Sequence, residues 1–162
     1  MPYDSSFCPA VPGGAISGPY CPEGITQEQI DSCQETYYFA ILNCRVTACS
    51  DYSADYEVYT LLLNGVDALY VLCVAAANGP MERAQCLANA VNAYTAYDDF
   101  FIARIAAIEE ALEECEEAAL DAFWDCIQYY CEGGTMASQP LNLSLAGMST
   151  RQIIRRSKIW KF

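Results

Sequence analysis

Thiols dominate the reactive chemistry open to this chain, which has ten cysteines and no histidine. A cysteine can close a disulfide, ligate a soft metal ion or act as a nucleophile, and spacing separates these uses. The residue numbers of Cys73 and Cys86, of Cys44 and Cys115, and of Cys33 and Cys126 each total 159. Half of that total falls between Gly79 and Pro80, within the turn signal Asn78-Gly79-Pro80. Residues that face each other across an antiparallel hairpin have a constant index total. These six cysteines therefore form rungs of a ladder folded about that turn. Helical angle agrees: at about 100° per residue, the steps of 11 residues from Cys33 to Cys44 and 29 from Cys44 to Cys73 each return to within about 20° of one face.

Four cysteines lie off the ladder. Cys49 and Cys131 each follow a rung by five residues, a displacement of about 140°, and so fall on one side of the two antiparallel arms. A Pro-rich segment on that side reaches both, which favours Cys21–Cys131 and Cys8–Cys49. The exchanged pairs, Cys8–Cys131 and Cys21–Cys49, and an intermolecular bond from Cys49 remain open.

Other chemistry finds less support. Without histidine the chain lacks the usual general base, the Ser/His and Cys/His nucleophile pairs and the commonest transition-metal ligand. No catalytic residue, metal ligand or cofactor is assigned. Copper-storage bundles lined with cysteines are similar only superficially. Cys-x-x-Cys and Cys-x-x-x-Cys are absent here, and the rungs stand about 16 and 43 Å apart along a helix. The acidic run Glu109, Glu110, Glu113, Glu114, Glu116 and Glu117 spreads around a helix as a solvated face.

Helices must carry the ladder. We expect an all-α fold: a long antiparallel two-helix hairpin over residues 26–132, stapled by disulfides, with its turn at 78–80 and arms of about 50 residues. Each arm would be about 75 Å long. Thr26 and Gln29 make a capping box, with Ile25 and Ile30 as a hydrophobic staple. The inward side of the first arm is assigned to Tyr37, Ile41, Cys44, Ala48, Val58, Leu62, Val66, Leu69 and Cys73. Ser50-Asp51-Tyr52-Ser53 offers a kink near 50–54, but the opposed residues are strong helix formers, so continuity is preferred. Pro80 suits a first helical turn, and Gly133-Gly134 supplies the stop. The hairpin total also sets Arg45 opposite Glu114 and Arg104 opposite Asp55.

Flanking segments differ in composition. Residues 1–25 hold five of the seven prolines and form an irregular segment packed on the hairpin. Residues 133–150 read as a linker, and 151–162 as a basic, apolar tail. All 21 acidic residues precede residue 133; with three basic residues, positions 1–150 carry −18, whereas the last twelve positions carry +5. An acidic body repels phosphates, so no nucleic-acid partner is expected. The apolar run Leu61–Ala77 is interrupted by Asn64, Gly65 and Asp67, so no membrane span is expected. Met1-Pro2-Tyr3-Asp4 lacks a basic start and apolar stretch, implying that a secretory signal is absent or removed.

The paired bridges on a hairpin resemble, in arrangement alone, mitochondrial twin Cys-x9-Cys proteins. Here the spacing is Cys-x10-Cys, at 33/44 and 115/126. Disulfides imply an oxidising environment: extracellular space, cell surface, virion, periplasm or intermembrane space. Tyrosines around several faces, with Leu61-Leu62-Leu63 and Phe100-Phe101-Ile102, predict association surfaces. The expected function is a non-enzymatic assembly subunit, an acidic rod that binds copies of itself or other subunits. Its tail residues Arg151, Ile153, Ile154, Arg155, Arg156, Lys158, Ile159, Trp160, Lys161 and Phe162 would contact the partner. Alternatives are an accessory subunit of a mitochondrial-type complex, a secreted toxin or effector, and a thiolate metal store.

Overall fold

A computed structural model describes residues 24–134 together with Cys8, Ile16, Gly18, Tyr20 and Cys21. Two helices make up the fold, α1 (Gln27–Ala76, 50 residues) and α2 (Pro80–Cys131, 52 residues), joined as a disulfide-linked hairpin. Among the described residues there is no strand. The tail positions 151–162 lie outside the described residues, as does most of the linker.

Local chemistry sets the helix ends. At the start of α1, the Thr26 backbone N–H donates to Gln29 Oε1 at 2.8 Å and the Gln29 N–H donates to Thr26 Oγ1 at 3.3 Å. Each partner satisfies a backbone group or side chain that the first turn would leave unpaired. At the turn, the Arg83 N–H donates to the Gly79 carbonyl and the Asn78 N–H to Glu82 Oε2. Pro80 then occupies the first helical position, where its missing N–H costs nothing. Beyond α2, Gly133 has φ +91°, its N–H donates to the Tyr130 carbonyl, and the Gly134 N–H donates to the Tyr129 carbonyl. This is a Schellman stop, and its left-handed residue is strongly disfavoured for side chains other than glycine. α1 runs unbroken through Ser50–Ser53, a stretch without proline.

The described residues divide into two units. In the first, residues 49–109, the core is aromatic. The Tyr59 and Phe101 rings stack with centroids 4.4 Å apart, and Tyr52 and Tyr56 each lie 6.0 Å from Phe101. Tyr52, Tyr59, Val66, Cys86, Ala90, Phe101 and Ile108 are buried. Along α1 the buried positions here are 52, 59 and 66, a seven-residue step. That is the 3.5-residue period of paired helices rather than the 3.6 of an isolated one.

Burial corrects the inward face expected from sequence. Val58 and Leu69, assigned to the core, are exposed. Tyr59 takes the inward place that Val58 was given, because its ring packs on Phe101 while its hydroxyl finds Asp98. The tyrosines are corrected too: Tyr52, Tyr59 and Tyr130 belong to the interior rather than to an association surface.

In the second unit, residues up to 48 and from 110 onward, the core centres on Cys33, Phe123, Cys126, Ile127 and Tyr130. Ile16, Tyr20 and Ile25 from the N-terminal segment pack against it, beside Ile30, Tyr37 and Trp124. The Ile16 N–H donates to Gln34 Oε1 at 3.1 Å, and the Tyr20 hydroxyl donates to the Ile16 carbonyl. Gly18 lies so close to the Trp124 indole that any Cβ there would overlap the ring. The segment thus covers the core at this end of the hairpin.

Candidate functional site

Disulfides place the cysteines first. Cys33–Cys126, Cys44–Cys115 and Cys73–Cys86 are bonded, each with Cα atoms 5.8 Å apart, and Cys21–Cys131 has its Cα atoms 5.9 Å apart. Such Cα separations lie within the range that a disulfide spans without backbone movement. Cys8 and Cys49 are also disulfide-bonded, and no free cysteine exists among the described residues. A bonded sulfur cannot ligate a metal or attack a substrate as a thiolate. Among the described residues, no group of three or more His, Cys, Asp or Glu side chains is placed to hold a metal ion.

Polar side chains of residues 49–109 join the arms pairwise. Arg104 grips Asp55 with two bonds, Nε to Oδ2 at 2.9 Å and Nη2 to Oδ1 at 3.2 Å. Such a fork holds geometry better than a single contact. The Tyr59 hydroxyl donates to Asp98 and the Tyr94 hydroxyl to Asp67. The hydrogen bond to Asp98, with burial and the Asp98 charge, pushes the Tyr59 hydroxyl up to about 12. The hydrogen bond to Asp67 likewise raises the Tyr94 hydroxyl. Tyrosine–carboxylate pairs leave no sequence signal beyond residue type, and they were not anticipated. In the second unit, Arg45 Nε meets Glu116 Oε1 at 2.8 Å. The hairpin total had set Glu114 there; a guanidinium extends past the facing Cα, so side-chain reach moves the contact by two positions. In the same unit, burial first, then Tyr129, raises the Tyr130 hydroxyl, against a lowering hydrogen bond with Ser32.

What stays uncovered is apolar. Of the fourteen large hydrophobic side chains exposed among the described residues, ten belong to residues 49–109: Val58, Leu61, Leu69, Val71, Leu72, Met81, Leu87, Val91, Phe100 and Ile102. Leu61, Leu69 and Leu72 are 70%, 68% and 66% exposed. Burying a leucine fully contributes about 1.5–3 kcal/mol, so each withholds a large part of that from the fold. α1 is also long and apolar enough to cross a membrane by length and composition, with an 18-residue window of mean hydropathy 1.7 that is 11% buried. Isolated polar residues such as Asn64 and Asp67 break an apolar run without lowering the average below that level.

No protein family, curated protein or solved structure matches this chain. Its chemistry must therefore be inferred from its own residues. The arrangement offers an apolar surface on a covalently closed scaffold, and the five disulfides are consistent with an oxidising compartment.

Proposed function

We propose that the chain is a non-enzymatic structural or assembly subunit, whose disulfide-stapled hairpin associates with copies of itself or with other subunits of a larger assembly. The uncovered apolar surface of residues 49–109 carries this proposal. Scattered exposed apolar residues are ordinary, whereas ten concentrated in one unit are the composition of a contact surface. Covalent closure supports it from another side. Two helices enclose little volume, and bridges let such a scaffold remain folded while presenting apolar side chains outward.

Charge supplies a second contact. Positions 151–162 carry +5 against −18 on positions 1–150, so the tail is attracted to the body of a neighbour. Ile153, Ile154, Ile159, Trp160 and Phe162 would anchor apolar contacts beside the five cations. The host is a filament, virion or large complex at an oxidising site.

Light scattering coupled to gel filtration tests the assembly. The full chain should exceed the mass of a monomer, and deleting residues 149–162 should abolish growth into larger complexes while leaving far-UV helicity intact. Unchanged growth would refute the role of the tail. A monomer at all concentrations would refute the assembly subunit and favour a soluble secreted effector.

A further inference from the structure

Within the uncovered surface, the exposed residues Val58, Leu61, Gly65, Ala68, Leu72 and Ala75 of α1 alternate at steps of three and four. This is the spacing of a second helix seam, separate from the buried line at 52, 59 and 66. We infer that this seam pairs with the same seam of a second copy, antiparallel, about a two-fold axis passing between Val66 and Asp67. The inference rests on the self-association proposed above and names its surface and symmetry.

Three observations select this occupant. First, the seam is self-complementary. About that axis Leu61 faces Leu72 of the other copy, Gly65 faces Ala68 and Val58 faces Ala75, each pair totalling 133. A two-fold interface requires such reciprocity, since residue i meets j and j meets i. The small central pair allows the backbones to approach, while the leucines close both flanks. Second, the seam is neutral in an acidic protein. Asp67 is the one charged residue between 58 and 75, it lies about 130° round the helix from the seam, and it accepts a hydrogen bond from Tyr94. Two copies of a chain carrying −13 can therefore meet here without opposing like charges.

Third, α2 argues against a bilayer as the occupant. Cys73–Cys86 locks it beside the apolar stretch of α1, and it brings the exposed side chains of Glu82, Arg83, Gln85, Asn89 and Asn92. Inserting α1 would take those groups into hydrocarbon, where charged side chains are strongly disfavoured.

Charge placement tests the symmetry. In sedimentation equilibrium of the full chain, the wild type should rise with concentration through twice its 17.9 kDa mass. Leu61→Glu combined with Leu72→Glu sets glutamates opposite each other and should weaken pairing more than about 100-fold. Leu61→Lys combined with Leu72→Glu sets lysine opposite glutamate in an antiparallel pair and should restore pairing to within about tenfold of wild type. A parallel pair would oppose like charges in both variants. Gln85→Glu with Asn92→Glu adds the same charge on exposed polar positions of α2, off the seam, and should leave the mass unchanged, with circular dichroism confirming that each variant folds. Failure of the lysine–glutamate variant to recover, or wild-type mass in the glutamate pair, overturns the seam but leaves self-association standing. A strictly monomeric wild type overturns both. Flotation of the wild type with phosphatidylcholine vesicles, lost in the glutamate pair without any dimer in solution, assigns the face to lipid and also overturns the seam.

Discussion

Residues 49–109 and the unit formed by residues up to 48 and from 110 onward use the same two helices in opposite ways. The latter has three internal disulfides, Cys21–Cys131, Cys33–Cys126 and Cys44–Cys115, and a core covered by Ile16, Tyr20 and Ile25. Four exposed large apolar residues remain there: Tyr38, Phe39, Val46 and Leu120. Residues 49–109 contain one internal disulfide, Cys73–Cys86, with an aromatic core, two tyrosine–carboxylate pairs and the Arg104–Asp55 fork. Their outer surface keeps ten apolar side chains in water. One unit is closed by sulfur and cover, the other by side chains that bridge the arms. The second arrangement leaves apolar surface free for a partner, and it makes that unit dependent on a few side chains.

The largest expected effect concerns sulfur. Intact mass after alkylation should show no modified cysteine without reductant and ten after full reduction with denaturation, matching the ten cysteines. Under mild reductant, exchange requires access to the sulfur. Cys73 is exposed, whereas Cys33 and Cys126 are buried, so Cys73–Cys86 should open well before Cys33–Cys126. Simultaneous opening would erase the contrast between the units. Next in size is Phe101→Ala. Emptying the place beneath Tyr52, Tyr56 and Tyr59 should cost about 3–5 kcal/mol in denaturant unfolding. Hydrogen exchange should rise across residues 49–109 and little in the Cys33–Phe123–Cys126 core. A uniform rise would show that the two units open together.

The smallest effect sharpens the comparison by pH. Tyr59 holds its proton up to about 12 in the folded chain, against 10 for an ordinary tyrosine. Its folded state therefore binds the proton more tightly than the unfolded state. The associated stability is fully present below pH 10 and is lost as pH rises toward 12. Tyr59→Phe should lower stability at neutral pH by about 1 kcal/mol and flatten its decline between pH 10 and 12. An unchanged decline would remove Tyr59 from the account.

Much of the fold was legible because disulfide geometry is strict. A bridge needs its Cα atoms about 6 Å apart, so cysteines spaced about one turn encode the register of the arms directly. The ends were legible for a similar reason. Thr26 with Gln29, Pro80, and Gly133-Gly134 satisfy or terminate backbone hydrogen bonds through their own covalent structure. The face of α1 was less legible. Val58 and Tyr59 are neighbours and either can turn inward by residue type; Tyr59 does so because Phe101 and Asp98 stand opposite it on α2.

Residue identity and order alone settled an all-helical hairpin, its turn beside Gly79 and the rungs at 33, 44 and 73 with their partners, since covalent and backbone constraints act locally or through a simple index rule. Packing settled which tyrosines became core, that Arg45 met Glu116, and that Val58, Leu61, Leu69 and Leu72 faced outward. Those outcomes depend on how far side chains reach and on what each helix finds across the gap, which no single stretch of sequence contains.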